Sequence, residues 1–319
     1  MMKLVWKLAL VLMAMGACTA ARAEPPARNL FGAQSSPAAL ASQSIGFYSR
    51  GCVAGAVAMP KDGPAWQMMR LSRNRAWGHP AMVEFLQKFA ADAASQDGWR
   101  GLLLGDISQP RGGPMLSGHA SHQIGLDADI YFTEMPSRRL SDAERETLQP
   151  QSLIDTRTLR VDERYWRPEH LKLLRRAASS PMVQRIFVHP GIKQKLCSSV
   201  RGDRGWLNKV RPTYGHDYHF HIRLFCQPGS GQCEKQEATG TGDGCDNLDW
   251  WFNVALQPPP PDAKPYKPKP PLQMADLPNA CRTVLAAGGG AGIAAAAPVA
   301  QSYFPVPERL PMPTMRPVN

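Results

Sequence analysis

The chain has 319 residues, 43% of them hydrophobic and 20% charged, and carries a formal net charge of +11. That length allows one large domain or two small ones, and the hydrophobic share supplies a sizeable core, which excludes a wholly disordered chain. The charge fits a polyanionic partner and equally a soluble basic surface, but no arginine–aromatic pattern points to nucleic acid.

The N-terminus reads as a secretory signal. Lys3 and Lys7 make a basic start, residues 8–15 are an apolar run too short to span a bilayer, and Ala21-Arg22-Ala23 offers a cleavage site that leaves Glu24 first. Lipoprotein processing at Cys18 competes, although Met15-Gly16-Ala17 is a poor lipobox. No later segment is apolar for long enough to be transmembrane. These features predict export, with residues 1–23 removed and residues 24–41 a flexible leader of small residues.

A single folded domain is expected over 42–256. Residues 79–94 read as a helix with Pro80 at its first position and Met82, Val83, Leu86, Phe89 and Ala90 on one apolar stripe. Residues 102–104 form a short buried strand, and 110–118 a Gly/Pro loop. Residues 126–132 alternate: Leu126, Ala128, Ile130 and Phe132 share one face, and Asp127, Asp129 and Tyr131 share the other, the pattern of a half-buried strand with a carboxylate on its open face. Ser141 with Glu144 forms a capping box before a short helix. A further helix spans 168–178, with Leu171, Leu174 and Ala178 inward, and a strand spans 183–188. Phe220, Ile222 and Leu224 alternate with His219, His221 and Arg223, again a strand with a polar face. The proline-rich segment 257–281 should run extended, and 282–319, rich in Ala, Gly and Pro, should be disordered and dispensable for catalysis, with a wall- or partner-binding arm as the competing reading. Short strands among helices, without a βαβ rhythm or a phosphate loop, predict an α+β fold.

Without Cys18, six cysteines remain, at 52, 197, 226, 233, 245 and 281. An even number in an exported chain predicts disulfides, though many pairings are open. None of the spacings is a CxxC. Cys226 and Cys233 flank a Gly-rich loop and suit a local bridge.

Five of the eight histidines fall in two short clusters. One holds His119 and His122 shortly before Asp129; the other holds His216, His219 and His221. Neutral imidazoles and a carboxylate are common ligands of catalytic zinc, which keeps one position open for water. A turn at Gly125 lets His122 and Asp129 face one ion. His219 and His221, two apart on a strand, share a face, so that one can ligate while the other serves as a base. The pattern predicts a mononuclear Zn2+ site on His122, Asp129 and His221, with His119 a further candidate that binds a second ion or hydrogen-bonds the site, His219 catalytic and His216 orienting or replacing it. The competing reading, histidines satisfied by hydrogen bonds, suits one isolated histidine better than two ordered clusters beside a carboxylate.

The motif His122-x-x-Gly125-x-x-x-Asp129 with a later His219-x-His221 resembles the LAS metallopeptidases. The longer stretch from Gly118 through Ile130, with residues 41–46, Gly78-His79-Pro80, Arg185-Ile186-Phe187-Val188 and Lys209-Val210-Arg211-Pro212, resembles their penicillin-insensitive murein endopeptidase branch. The likeness covers roughly residues 42–281. It implies a small antiparallel sheet flanked by helices, stapled by disulfides Cys52–Cys281, Cys197–Cys245 and Cys226–Cys233. It also implies an exported, periplasmic zinc endopeptidase that cuts the D-alanyl–meso-diaminopimelyl cross-links of peptidoglycan, with His122, Asp129 and His221 as ligands. Carboxypeptidase relatives carry a glutamate shortly before the last histidine; here only His216, Asp217 and His219 stand there. A D,D-carboxypeptidase and a non-catalytic wall-binding module that keeps the zinc are the alternatives, and a homodimer is left open. No Ser-x-x-Lys motif lies near the histidine clusters, so nothing there invites acylation by a β-lactam.

Overall fold

The computed structural model describes residues 24–265 and 267–290. The expected signal segment, and the tail beyond residue 290, lie outside the described residues. Among the described residues, no helix is long and apolar enough to cross a membrane.

A seven-stranded sheet forms the centre, in the order Val210–Pro212, Val183–Val188, His219–Leu224, Asp127–Glu134, Leu102–Leu104, Trp66–Met68 and Asp62–Gly63. Its middle is antiparallel. Its flanks are mixed: Val210–Pro212 runs parallel to Val183–Val188, and Trp66–Met68 parallel to Leu102–Leu104. The sheet is therefore larger than the small antiparallel one expected, and only its centre is purely antiparallel.

The two alternating strands pair with each other, setting Asp127 opposite Arg223, Asp129 opposite His221 and Tyr131 opposite His219. One face of this pair, with Ala128, Ile130, Phe132, Phe220 and Ile222, joins the main core. There it meets Leu86 and Phe89 of the helix Pro80–Gln96 and Leu173 and Leu174 of the helix Pro168–Ser179. The opposite face was expected to be open, but Asp127, Asp129, Tyr131, His219, His221 and Arg223 are all buried. The chain between Gly105 and Leu126 folds back over it, held by hydrogen bonds of Gly105 N to Asp129 O and Asp129 N to Asp106 O. Burying polar groups is costly unless each finds a partner, so this face must be built as a network.

The three histidines outside the clusters are structural. His79 and His189 each precede a proline that opens a helix, and each accepts a backbone N–H at Nδ1, from Ala81 and Gly191 respectively. His170 accepts from Arg167 N and donates to Phe132 O. The Ser141–Glu144 capping box is present.

Residues 24–41 are not a loose leader. Ala27–Gly32 is helical, and its Ala27 and Phe31 are buried in a second, smaller core with Ile45, Cys52, Met274, Leu277, Cys281 and Val284. The expected start of the tail moves as well: Ala280–Ala286 is a helix, and Gly290 N bonds to Pro37 O. Small residues mislead here because a cross-link between Cys52 and Cys281, rather than local apolar content, brings the two ends together. Disulfides Cys197–Cys245 and Cys226–Cys233 complete the set. Residues 257–265 and 267–271 have no regular secondary structure and lie on the surface.

Candidate metal centre

The turn after His122 is shaped by Gly125, at φ +71°, where a Cβ would come within 2.8 Å of His79 N. His122 itself has φ +66°, uncommon for a residue with a side chain. Its backbone N–H donates to Asp127 Oδ2 (2.9 Å), and its ring Nδ1–H to Ile107 O (2.6 Å). A carbonyl can only accept, so Nδ1 carries a proton and Nε2 is the nitrogen left to face the site.

His221 is oriented in the same way from the opposite nitrogen. Its Nε2–H donates to Asp127 Oδ1 (2.9 Å), which leaves Nδ1 free. The two free nitrogens lie 3.1 Å apart. Asp129 Oδ1 lies 3.4 Å from His122 Nε2 and 3.6 Å from His221 Nδ1. This oxygen is buried and has no hydrogen-bond partner among the described residues. Ligands about 2.0–2.1 Å from a tetrahedral zinc would sit roughly 3.3 Å from each other, so the three atoms are spaced to hold one.

The remaining clustered histidines surround Asp129. His219 Nε2 is 3.6 Å from Asp129 Oδ1, and His119 Nε2 is 3.5 Å from Asp129 Oδ2. Ligand atoms of His119, His122 and Asp129 lie within 4.8 Å of one another, so this triad could also hold an ion. Yet His119 Nε2–H donates to Asp106 Oδ2 at 3.0 Å, which occupies its nearer nitrogen. His216, at φ +58°, is anchored by a hydrogen bond from its Nδ1 to Tyr214 O (2.8 Å) and packs its ring 4.8 Å from that of His219. A cleft of about 490 Å³ opens over the cluster and is lined by His119, His216, His219, His221, Tyr214 and Tyr218 among others.

The electrostatics follow from burial and the two carboxylates. Burial opposes charge on His122, but Asp129 and Asp127 outweigh it and raise its pKa to about 9. Burial dominates at His221 and lowers it to about 3 despite Asp127. Burial also lowers His219 and His216, so both are neutral bases near pH 7. Burial would raise Asp129, but His122 and His219 hold it well below the ordinary range. Near pH 7 the metal-free site thus keeps a proton on His122, beside neutral His221, His219 and His216 and an ionised Asp129, and a divalent cation would take the place of that proton.

Three residues of this network carried no role in the sequence reading. Asp127 orients His122 and His221 and receives Arg223 Nε at 2.8 Å. Arg223 in turn lies over the Tyr48 ring, 4.1 Å from its centroid. Asp106 accepts from Arg73, Arg75 and His119, and these bonds overcome burial to hold it at about 2. The signal for Asp127 and Arg223 was present, since alternation places both on the histidine face. Nothing local marks Asp106, which reaches the site from a loop.

A model of the penicillin-insensitive murein endopeptidase family matches residues 44–286. The chain is 45% identical to the penicillin-insensitive murein endopeptidase of Haemophilus influenzae over 228 residues, 70% of this chain and 77% of that one. It is 41% identical to that of Yersinia pestis bv. Antiqua over 250 residues (78% and 87%), and 38% identical to that of Escherichia coli K12 over 280 residues (88% and 97%). The matched segment contains both histidine clusters, Asp127, Asp129 and all six disulfide cysteines, and on this ground the chain belongs to the penicillin-insensitive murein endopeptidase family.

Proposed function

We propose that this chain is a periplasmic zinc endopeptidase of LAS type that hydrolyses the D-alanyl–meso-diaminopimelyl cross-links of peptidoglycan. The observation that carries the reading is the convergence of two imidazole nitrogens on a buried carboxylate oxygen that has no hydrogen-bond partner among the described residues: His122 Nε2, His221 Nδ1 and Asp129 Oδ1. These three are the metal ligands, and His119 is held off by Asp106. Zinc bound there would lower the pKa of a coordinated water to roughly 7 and polarise the scissile carbonyl.

The chain's own residues then divide the work. Asp127 fixes the His221 tautomer and holds the His122 backbone, while Ile107 O fixes the His122 tautomer. His219, neutral and bordering the cleft, takes the proton from the attacking water and returns it to the leaving amine. His216 packs against it and limits its rotation. Peptidoglycan as substrate is supported by the names of the relatives, and export by the N-terminal segment and the three disulfides. The exact bond and the LAS-type fold rest on the sequence resemblance.

The deciding experiment incubates the purified chain with cross-linked muropeptide dimers, with and without a chelator. The dimer should be converted to monomers, the chelator should abolish conversion, and added zinc should restore it. Conversion untouched by exhaustive chelation would refute the metal-dependent reading.

A further inference from the structure

Beyond the cleft, the segment Leu248–Ala255 displays aromatic surface that amide hydrolysis does not use. Leu248 and Phe252 are buried and anchor it, with the Arg160 guanidinium 3.5 Å above the Phe252 ring. Trp250 and Val254, again four apart, face outward and are 52% and 58% exposed. Trp250 meets Trp251 edge-on at 5.2 Å, and Trp251 meets Tyr214 edge-on at 5.2 Å. Tyr214 lines the histidine cleft. An aromatic ledge therefore runs without a break from the cleft to a second cavity of about 410 Å³, lined by both tryptophans.

The polar lining of that cavity narrows the choice of occupant. Arg211, Asp246 and Asn247 stand beside the two indoles. A pyranose ring offers an apolar C–H face to an indole and a rim of hydroxyl and acetamide groups to planar donors and acceptors. A carboxylate, an amide and a guanidinium beside two tryptophans match both demands. A purely anionic peptide would meet Asp246 as well as Arg211. The loop is also held in place: Cys245 is bonded to Cys197, its N–H donates to Asp243 Oδ1, and Asn247 has φ +60°. A pre-ordered site loses less entropy on binding.

We infer that Trp250, Trp251, Arg211, Asp246 and Asn247 form a saccharide subsite that holds an amino-sugar unit of the glycan strand beside the peptide cleft. Its place in catalysis rests on the murein-peptidase reading above, but its ligand chemistry can be tested without it.

The full chain is titrated with chitotetraose while tryptophan fluorescence is followed. Saturable binding is expected, weakened about tenfold or more in Trp250→Ala. Trp250 is half exposed, so this variant should fold; Trp251→Phe, which keeps an aromatic ring, gives a second readout with a smaller loss. Rates are then compared on a disaccharide-bearing muropeptide dimer and on the same peptide dimer stripped of sugar. Trp250→Ala should raise KM for the sugar-bearing dimer about tenfold more than for the bare one. Three results would overturn the inference: no saturation by chitotetraose, an equal fall on both dimers (a peptide-binding surface), or a dimer of the wild-type chain in sedimentation that Trp250→Ala dissolves (a self-association surface). If the wild-type chain cleaves neither dimer, the peptidase reading fails, and the chitotetraose titration still decides this one.

Discussion

His221 donates its Nε2–H to Asp127 Oδ1 over 2.9 Å, so Nδ1 is the nitrogen that faces Asp129 and His122. Asp127 also receives the His122 backbone N–H and the Arg223 guanidinium. One buried carboxylate thus sets the tautomer of one candidate ligand, the backbone of another and the position of a cation. Removing its charge while keeping its shape should loosen the site. Asp127→Asn should bind zinc about 10- to 100-fold more weakly, read by competition with a chromophoric chelator on folded protein. An unchanged affinity would show that Asp127 does not support the metal.

Asp129 should behave differently, as a direct ligand. Asp129→Ala should lose stoichiometric zinc and muropeptide cleavage together, measured by elemental analysis and product chromatography. A zinc-replete, fully active Asp129→Ala would refute its assignment.

For His219 the two readouts should separate. His219→Ala should retain zinc while its rate falls about 10²- to 10⁴-fold, the range typical of a general base. His119→Ala should also retain zinc, because Asp106 already engages the His119 nitrogen nearest the site. If His219→Ala instead loses metal in step with activity, His219 belongs among the ligands.

The strand positions of this candidate centre were legible in the sequence. Period-two alternation put Asp127, Asp129, His219, His221 and Arg223 on strand faces, and the structure pairs those strands directly. Alternation cannot show what covers a face. It therefore suggested an open polar surface where the loop carrying Asp106 and Ile107 encloses one. The strands Asp62–Gly63 and Trp66–Met68 are too short to leave a periodic trace, so the sheet looked smaller than it is. The terminal helices were missed for a similar reason. Ala27–Gly32 and Ala280–Ala286 are brief and rich in small residues, and what stabilises them lies far away in sequence.

Acid sensitivity should follow from the capping histidines. His189 Nδ1 accepts the Gly191 N–H, and burial lowers its pKa to about 4, with Asp217 opposing that shift and His216 adding to it. Its folded-state pKa lies below the unfolded value, so the unfolded chain binds the extra proton first. Its contribution is fully present above the unfolded value of 6.5 and is lost as pH falls from there toward about 4. His189→Asn, which can keep the cap without titrating, should flatten the decline of thermal midpoint over that window. An identical pH profile for both proteins would exclude His189 as a source.

The last prediction concerns how the chain's end is held. The buried Arg111 sends Nη1 to the carbonyls of Val284, Leu285 and Ala287 at 2.9, 2.7 and 2.8 Å, and Nε to Ser36 O at 3.2 Å. A guanidinium at a helix C-terminus satisfies carbonyls that lack intrahelical partners and complements the helix dipole. Its own backbone carbonyl accepts from Val53 N, next to the Cys52–Cys281 disulfide. Residues 282–290 therefore form part of the fold, where a disordered tail was expected from residue 282. Ending the chain at Cys281 would strip Val284 from the second core and leave Arg111 buried without those acceptors. Arg111→Ala in the full chain should cost roughly 2–4 kcal/mol through the same unpaired groups, seen as a lower denaturation midpoint. Truncation at Cys281 should lower the midpoint by at least as much, whereas truncation at Gly290, which spares every one of these contacts, should leave it near that of the full chain. If the Cys281 truncation unfolded at the full-length midpoint, the Arg111 clasp would contribute nothing to stability.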